Sequence, residues 1–346
     1  MKNKNYFLRV NEQTPTRFWI NNVTKEEAYL AIQNGAIGCT QNPSYVWKML
    51  SDVNEKEEVI GLIRKYQKDE LDDSEVLVKV QRELVENIAK IFLPLYEKSN
   101  GTQGFVSIQG DPFKEDTDTI IKNALYNREG GQNIMAKIPV TKDGLKAIEY
   151  LSAKRVPINA TEVMAVKQAL DVCEIYTDTT KELKDRAPIY FSHITGIYDE
   201  YLAKVVKNEN IDVSPDAVWQ AGMIIAKKIY WMVKDKKYEV GFIGGGARGL
   251  HHFTEMVGAD ANITINWKGT ADKLIESNPP VIQRFLMPVS ESIIDELTEK
   301  IVDFKRGYYV NAITAEEYEH FGPVVQFRNS FEDAWTKSLD FIASLR

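Results

Sequence analysis

The sequence predicts an α/β protein: a (β/α)8 TIM barrel with additional helices, including a C-terminal helical segment. Two observations carry this reading. Eight short apolar or β-branched runs alternate with helical patterns, as parallel βαβ units require. Polar residues then sit at the carboxyl end of nearly every run: Asn21, Thr40, Asn42, Gln109, Lys137, Asn159, Ser192 and Arg248. An open doubly wound sheet fits the strand count as well, but it would gather its ligand residues at one switch point. A barrel draws a residue or two from every strand at one face, which suits the distribution better. No repeat or low-complexity tract divides the chain, and residues 1–346 read as one domain.

Taken in order, Arg17 to Ile20 is the first predicted strand, ended by Asn21-Asn22. Thr24-Lys25-Glu26-Glu27 has the form of a capping box and opens a helix. Ala36 to Cys39 is the second strand and runs into Thr40-Gln41-Asn42-Pro43. A long charged helical region follows from Ser44 to Lys98, with a break expected at Asp69, Asp72 and Asp73. Gly104 to Gln109 is the third strand, and Thr117 to Asn127 the next helix. The fourth strand, Asn133 to Thr141, carries Lys137 and is closed by Pro139. A helix through Leu145 and Leu151 leads to the fifth strand, Pro157 to Ala160, which is expected to pass directly into a helix at Thr161. Ile189 to Ser192, Tyr238 to Ile243 and Ala261 to Ile265 complete the strands. Helices are expected at Pro215 to Val233, Glu291 to Phe304 and Phe331 to Leu345.

Composition narrows the function. The net charge is -7 and basic runs are short, so nucleic acid is excluded as a partner. No stretch approaches the roughly 18 apolar residues of a membrane helix, and the polar N-terminal residues do not read as a secretory signal. Cys39 and Cys173 form no metal or redox spacing. The expectation is a cytoplasmic protein without membrane contact.

Lys137 is the residue that asks for chemistry. A lysine in a buried strand must reach water, find an acid or lose its charge. A desolvated amine with a depressed pKa is the nucleophile that a Schiff base requires. The amides and hydroxyls around it offer a ligand hydrogen bonds without adding charge. Gly244-Gly245-Gly246-Ala247-Arg248-Gly249 matches G-x-G-x-x-G, yet no acidic residue ends the following strand, as a dinucleotide site would want. An anion cradle at the end of strand seven or a tight turn explains the glycines instead. His193, His251 and His252 give poor spacing for a metal, so neither a metal nor a cofactor is expected.

Five motifs in order are similar to those of the transaldolase/fructose-6-phosphate aldolase family. They are Gly38-Cys39-Thr40-Gln41-Asn42-Pro43, Met135 to Thr141, Ile158-Asn159-Ala160-Thr161, Phe191 to Gly196 and Phe242 to Arg248. The resemblance spans roughly Phe18 to Lys268. It implies Schiff-base transfer of a dihydroxyacetone unit between a ketose and an aldose, usually phosphorylated, with Lys137 as nucleophile. It assigns a catalytic water to Gln109 and Thr161, and the first-strand acid/base position to Asn21. Thr40, Asn42, Asn159, Ser192 and Arg248 are implied substrate ligands. A homo-oligomer is left open.

Departures from the family pattern accompany these matches. Asn21 stands where the family has aspartate, and Gln109 where many transaldolases have glutamate. Ile197 replaces a phosphate-holding arginine, and Ile194 an aromatic. A non-phosphorylated substrate, a different aldolase activity, or a sugar-binding member with weak turnover is the alternative. Asp111 and Tyr190 are the candidates to replace the missing acid/base.

Overall fold

The computed structural model describes residues 4–346. Eight parallel strands close on themselves in sequence order. They are β1 (Arg17–Asn21), β2 (Ala36–Thr40), β3 (Phe105–Gln109), β4 (Ile134–Pro139), β5 (Ile158–Val163), β6 (Ile189–His193), β7 (Gly241–Gly244) and β8 (Asn262–Asn266). The predicted (β/α)8 barrel is therefore the fold.

Strand alternation divides the barrel into an outer and an inner surface. Outward residues such as Ile108, Ala136, Ile138 and Ala160 join the large apolar layer beneath the surrounding helices. Inward residues form two tiers. The lower tier is a separate apolar cluster of Trp19, Phe105, Met135 and Ile243, with Tyr190 packed against it. The rings need space that only glycine leaves: a Cβ on Gly38 would lie 2.4 Å from the Trp19 ring, and one on Gly241 2.2 Å from Tyr190. The upper tier is polar, and the register sets its order. Gln109 lies beside Lys137, Lys137 beside Asn159, and Asn21 beside both Thr40 and Asn266.

The helices follow the local signals with instructive exceptions. Thr24 caps Lys25–Gln33 through the expected capping box with Glu27. The charged region breaks into Tyr45–Ser51, Lys56–Tyr66 and Asp73–Lys98, and Asp72 caps the last through a second box with Glu75. β5 continues to Val163, so Thr161 is a strand residue and the next helix begins at Val166. The cause is a register irregularity between Ala160 and Val163, with Glu162 at φ 64°. β7 is only Gly241–Gly244, shorter than predicted. Helices Tyr6–Gln13 and Thr195–Glu209 were not expected. The final helix starts at Gly322 rather than Phe331 and runs to Ser344. Its Phe327, Ser330 and Phe331 close over the barrel mouth.

Candidate active site

A cavity of about 390 Å³ opens at the carboxyl ends of the strands. It is lined by Lys137, Asn21, Thr40, Asn42, Asn159, Thr161, Ser192 and Arg248, all residues singled out in the sequence. Gln109 is the exception: it does not line the cavity, although its backbone sits beside that of Lys137. Asp111 and Tyr190 are not on it either. The Asp111 carboxylate accepts from the Ser74 hydroxyl and the Phe113 N–H, and Tyr190 packs on Trp19 in the apolar tier.

On the β8–β1–β2 side the cavity-lining amides and hydroxyls bond to one another. Asn21 Nδ2 donates to Asn266 Oδ1 at 2.9 Å, and Thr40 Oγ1 donates to Asn21 Oδ1 at 2.9 Å. Because Thr40 has a single hydroxyl proton, Thr264 Oγ1, 2.8 Å away, donates to it. Asn22 Nδ2 donates to Asn42 Oδ1 at 2.9 Å, while the Asn42 N–H returns a bond to Asn22 Oδ1 at 3.1 Å. Opposite, Ser192 Oγ donates to Asn159 Oδ1 at 2.6 Å, and Asn159 Nδ2 donates to Ser107 Oγ at 3.2 Å. These bonds fix which way each amide presents its oxygen and nitrogen.

Lys137 sits on the β3–β5 side. It is 8% exposed and has no hydrogen-bond or ion-pair partner among the described residues. Its Nζ lies 5.9 Å from the centre of the Phe331 ring. Burial disfavours the ammonium and lowers its pKa to about 8, against a smaller opposing pull from Glu162. A useful fraction of the amine is therefore neutral near physiological pH.

Glu162 was not anticipated. Its side chain is fully buried, and Oε1 accepts from Gln109 Nε2 at 2.9 Å. The same Gln109 nitrogen lies 3.5 Å from Glu115 Oε1. Burial pushes both carboxyl groups above the ordinary range, Glu115 well above it, where the charge of Glu162 adds to the effect. Four polar atoms here are sealed from solvent without a protein partner: Gln109 Oε1, Thr161 Oγ1, Glu115 Oε2 and Glu162 Oε2.

The glycine run after β7 forms the rim beside Arg248. Gly246 adopts φ 67°, and a Cβ on Gly196 would lie 2.3 Å from the Gly246 carbonyl, so loop and helix Thr195–Glu209 meet backbone to backbone. His252 ties them together. Its Nδ1 accepts from the Arg248 and Gly249 N–H groups at 3.2 and 3.1 Å, leaving Nε2–H to donate to Asp199 Oδ2 at 2.9 Å. Asp199 also accepts from the Gly222 N–H. Asp199, His251 and His252 cluster closely enough for a metal, but His252 already uses both ring nitrogens. His193 is buried between the Val163 and Gly222 carbonyls, away from the other two histidines' cluster. Arg248 pairs with Glu200. Lys48 and Lys268 also line the cavity, and Lys268 has no ion-pair partner among the described residues. Their positions in a helix and a loop gave no periodic signal.

With this geometry in place, comparison with known proteins is direct. A family model described as Transaldolase/Fructose-6-phosphate aldolase matches residues 18–334. A protein named Transaldolase from Thiobacillus denitrificans is 22% identical over 354 residues, covering 91% of this chain and 94% of that protein. One of the same name from Trichodesmium erythraeum is 25% identical over 237 residues, 62% of this chain and 61% of the relative. A Helicobacter pylori transaldolase is 28% identical over 207 residues, 58% of this chain and 60% of the relative. No helix is long and apolar enough to cross a membrane among the described residues. By the extent of the family match, and with the barrel it entails, the chain belongs to the transaldolase/fructose-6-phosphate aldolase family.

Proposed function

We propose that the protein is a Schiff-base enzyme that transfers a dihydroxyacetone unit between a ketose and an aldose. The observation that carries this reading is Lys137: an unpaired, buried amine with its pKa lowered to about 8, facing a cavity ringed by amides and hydroxyls. The neutral amine adds to the ketose carbonyl. Loss of water gives an iminium that accepts the electron pair of the C3–C4 bond as the C4 hydroxyl gives its proton to water and an aldose leaves. The enamine left on Lys137 then attacks the acceptor aldehyde, and water releases the new ketose. Thr40, Asn42, Asn159 and Ser192 are suited to the substrate hydroxyls, and Thr161 to a water beside the amine.

Lys268, the rim cation without an ion-pair partner among the described residues, and Arg248 and Lys48, paired with Glu200 and Glu27, offer donors that favour a sugar carrying a phosphate. A second reading has one observation behind it. Asn21 supplies an amide where bond cleavage wants an acid/base, and an amide does not titrate near neutral pH. A sugar-binding protein with weak turnover would look the same at that position.

Borohydride trapping with fructose 6-phosphate and with fructose, followed by mass spectrometry, tests the proposal. A dihydroxyacetone-sized adduct on Lys137, stronger with the phosphorylated sugar, is expected. A full-length ketose adduct without cleavage favours the weak-turnover reading. Absence of any adduct sinks the Schiff-base assignment.

A further inference from the structure

We propose that Glu162 and Glu115, bridged by the side-chain amide of Gln109, form the proton-transfer pair that serves Lys137. The proposal rests on the Schiff-base reading above and names residues that reading does not use.

Geometry is the first support. One amide nitrogen, Gln109 Nε2, approaches both carboxylates, Glu162 Oε1 at 2.9 Å and Glu115 Oε1 at 3.5 Å. Two carboxylates gathered on one donor in a sealed site repel each other, so holding one proton between them is the stable arrangement. The free oxygens of both acids, the Gln109 carbonyl and the Thr161 hydroxyl are all sealed from solvent without a protein partner. Buried polar atoms are satisfied by water where protein does not supply a bond. A small cavity of about 20 Å³, room for about one water molecule, borders Gln109, Glu115 and Lys137 on the Glu115 side of the pair; Glu162 and Thr161 do not line it.

The backbone supports the same assignment. β5 breaks register between Ala160 and Val163, and Glu162 takes φ 64°, a left-handed conformation unfavourable for a non-glycine residue. Such irregularities at a barrel rim re-aim a side chain. Here the result is a carboxylate one residue beyond Thr161, while Gln109 occupies the strand-three position. The charged groups facing the pair are Lys137 from β4 and Arg328 and Glu332 from the final helix. Arg328 lies 3.8 Å from Glu332, which offsets part of its charge. Glu162 is also the carboxylate whose charge acts on Lys137.

The proton inventory balances. Lys137 Nζ bonds to the carbonyl carbon, the carbonyl π pair moves to oxygen, and a proton passes from nitrogen to that oxygen. The pair then gives its shared proton, through water at Thr161, to the carbinolamine hydroxyl. The C–O bond breaks, water leaves, and the nitrogen lone pair completes the iminium beside a carboxylate. When water hydrolyses the final iminium, the carboxylate takes the proton back.

The test is the rate of borohydride-trappable adduct formation in the full chain, measured across pH for wild type, Glu162→Gln, Glu115→Gln and the exchange Glu162→Gln/Gln109→Glu. Glutamine at 162 can still accept the Gln109 bond, so a structural role predicts little change. The proposal predicts a loss of about 10²-fold or more in Glu162→Gln, with circular dichroism unchanged. The part of the pH profile set by the pair's proton should disappear, leaving the rise set by Lys137. The exchange variant should recover at least part of the rate by moving the carboxylate to β3. Wild-type rates and profiles in both single variants would overturn the proposal while leaving the Schiff base standing. No adduct in wild type itself would remove the reading beneath it, and the proposal with it.

Discussion

The two sides of the cavity are built from similar residues and differ in how completely those residues are occupied. On the β8–β1–β2 side, Asn21 uses both ends of its amide, and Thr40 both donates and accepts. On the β3–β5 side, the Lys137 amine stands alone, and four buried polar atoms around Glu162 have no protein partner. A wall whose bonds are all made holds its shape and presents a fixed pattern to a ligand. A wall with unmade bonds keeps groups available for chemistry and is stabilised less by them. Under the proposed function the contrast leaves the β8–β1–β2 side to binding, while the Lys137 side adds reaction to the binding groups Asn159 and Ser192.

The sharpest way to break that division is at the amine. Lys137→Met should abolish the trapped adduct and lower turnover by more than about 10⁴-fold. It should leave thermal stability equal or higher, because a buried unpaired amine is replaced by an apolar chain of similar length. Threonines on opposite walls provide the next contrast. Thr161→Val removes a hydroxyl with no protein partner, so turnover should drop by about 10²-fold while urea denaturation shifts little. Thr40→Val strips Asn21 Oδ1 and Thr264 of their partner, so it should cost about 1–3 kcal/mol in urea denaturation. Its effect on sugar should fall mainly on KM.

Asn21→Asp probes whether the quiet wall can be made reactive. Turnover is expected to rise by about 10-fold or more as a titratable group returns to β1, with adduct formation unchanged. A fall in turnover would mean that the neutral amide network itself is required.

The smallest effect is on the pH dependence. Adduct formation should rise as pH increases through about 8, where Lys137 loses its proton. Stability follows from the same groups. The folded pKa of Lys137 is depressed below 10.5, so the unfolded chain binds more protons between about 8 and 10.5, and this group adds stability as pH rises there. Glu162 has the opposite sign. Its folded pKa is raised above 4.5, so its contribution is full below 4.5 and lost as pH rises through the folded value. Glu162→Gln should therefore gain Tm relative to wild type on the alkaline side, as differential scanning calorimetry can check.

What the sequence exposes here follows from periodicity and termination. The polar strand ends locate the mouth and put Lys137, Asn159 and Ser192 on it. The residues it concealed share a physical reason. Glu162 points where it does because the chain turns left-handed after Thr161, and Thr161-Glu162 followed by apolar residues reads as a helix start. Glu115 lies in the charged run Lys114-Glu115-Asp116, which resembles a solvated loop. The residue is half-buried with one carboxylate oxygen sealed from solvent, and Arg328 and Glu332 of the final helix act on its charge, a long-range arrangement with no local trace. A signal was present for Glu162: an acid inside Asn159-Ala160-Thr161-Glu162-Val163 with no basic neighbour at strand spacing.

The apolar tier made by Trp19, Phe105, Met135 and Ile243 has a kinetic meaning as well. It stoppers the barrel from below, so the reaction chamber has a single doorway. In a two-substrate transfer, donor and acceptor must then take turns. Under the proposed transfer the first aldose leaves and the second enters by that same doorway, which fits a ping-pong order.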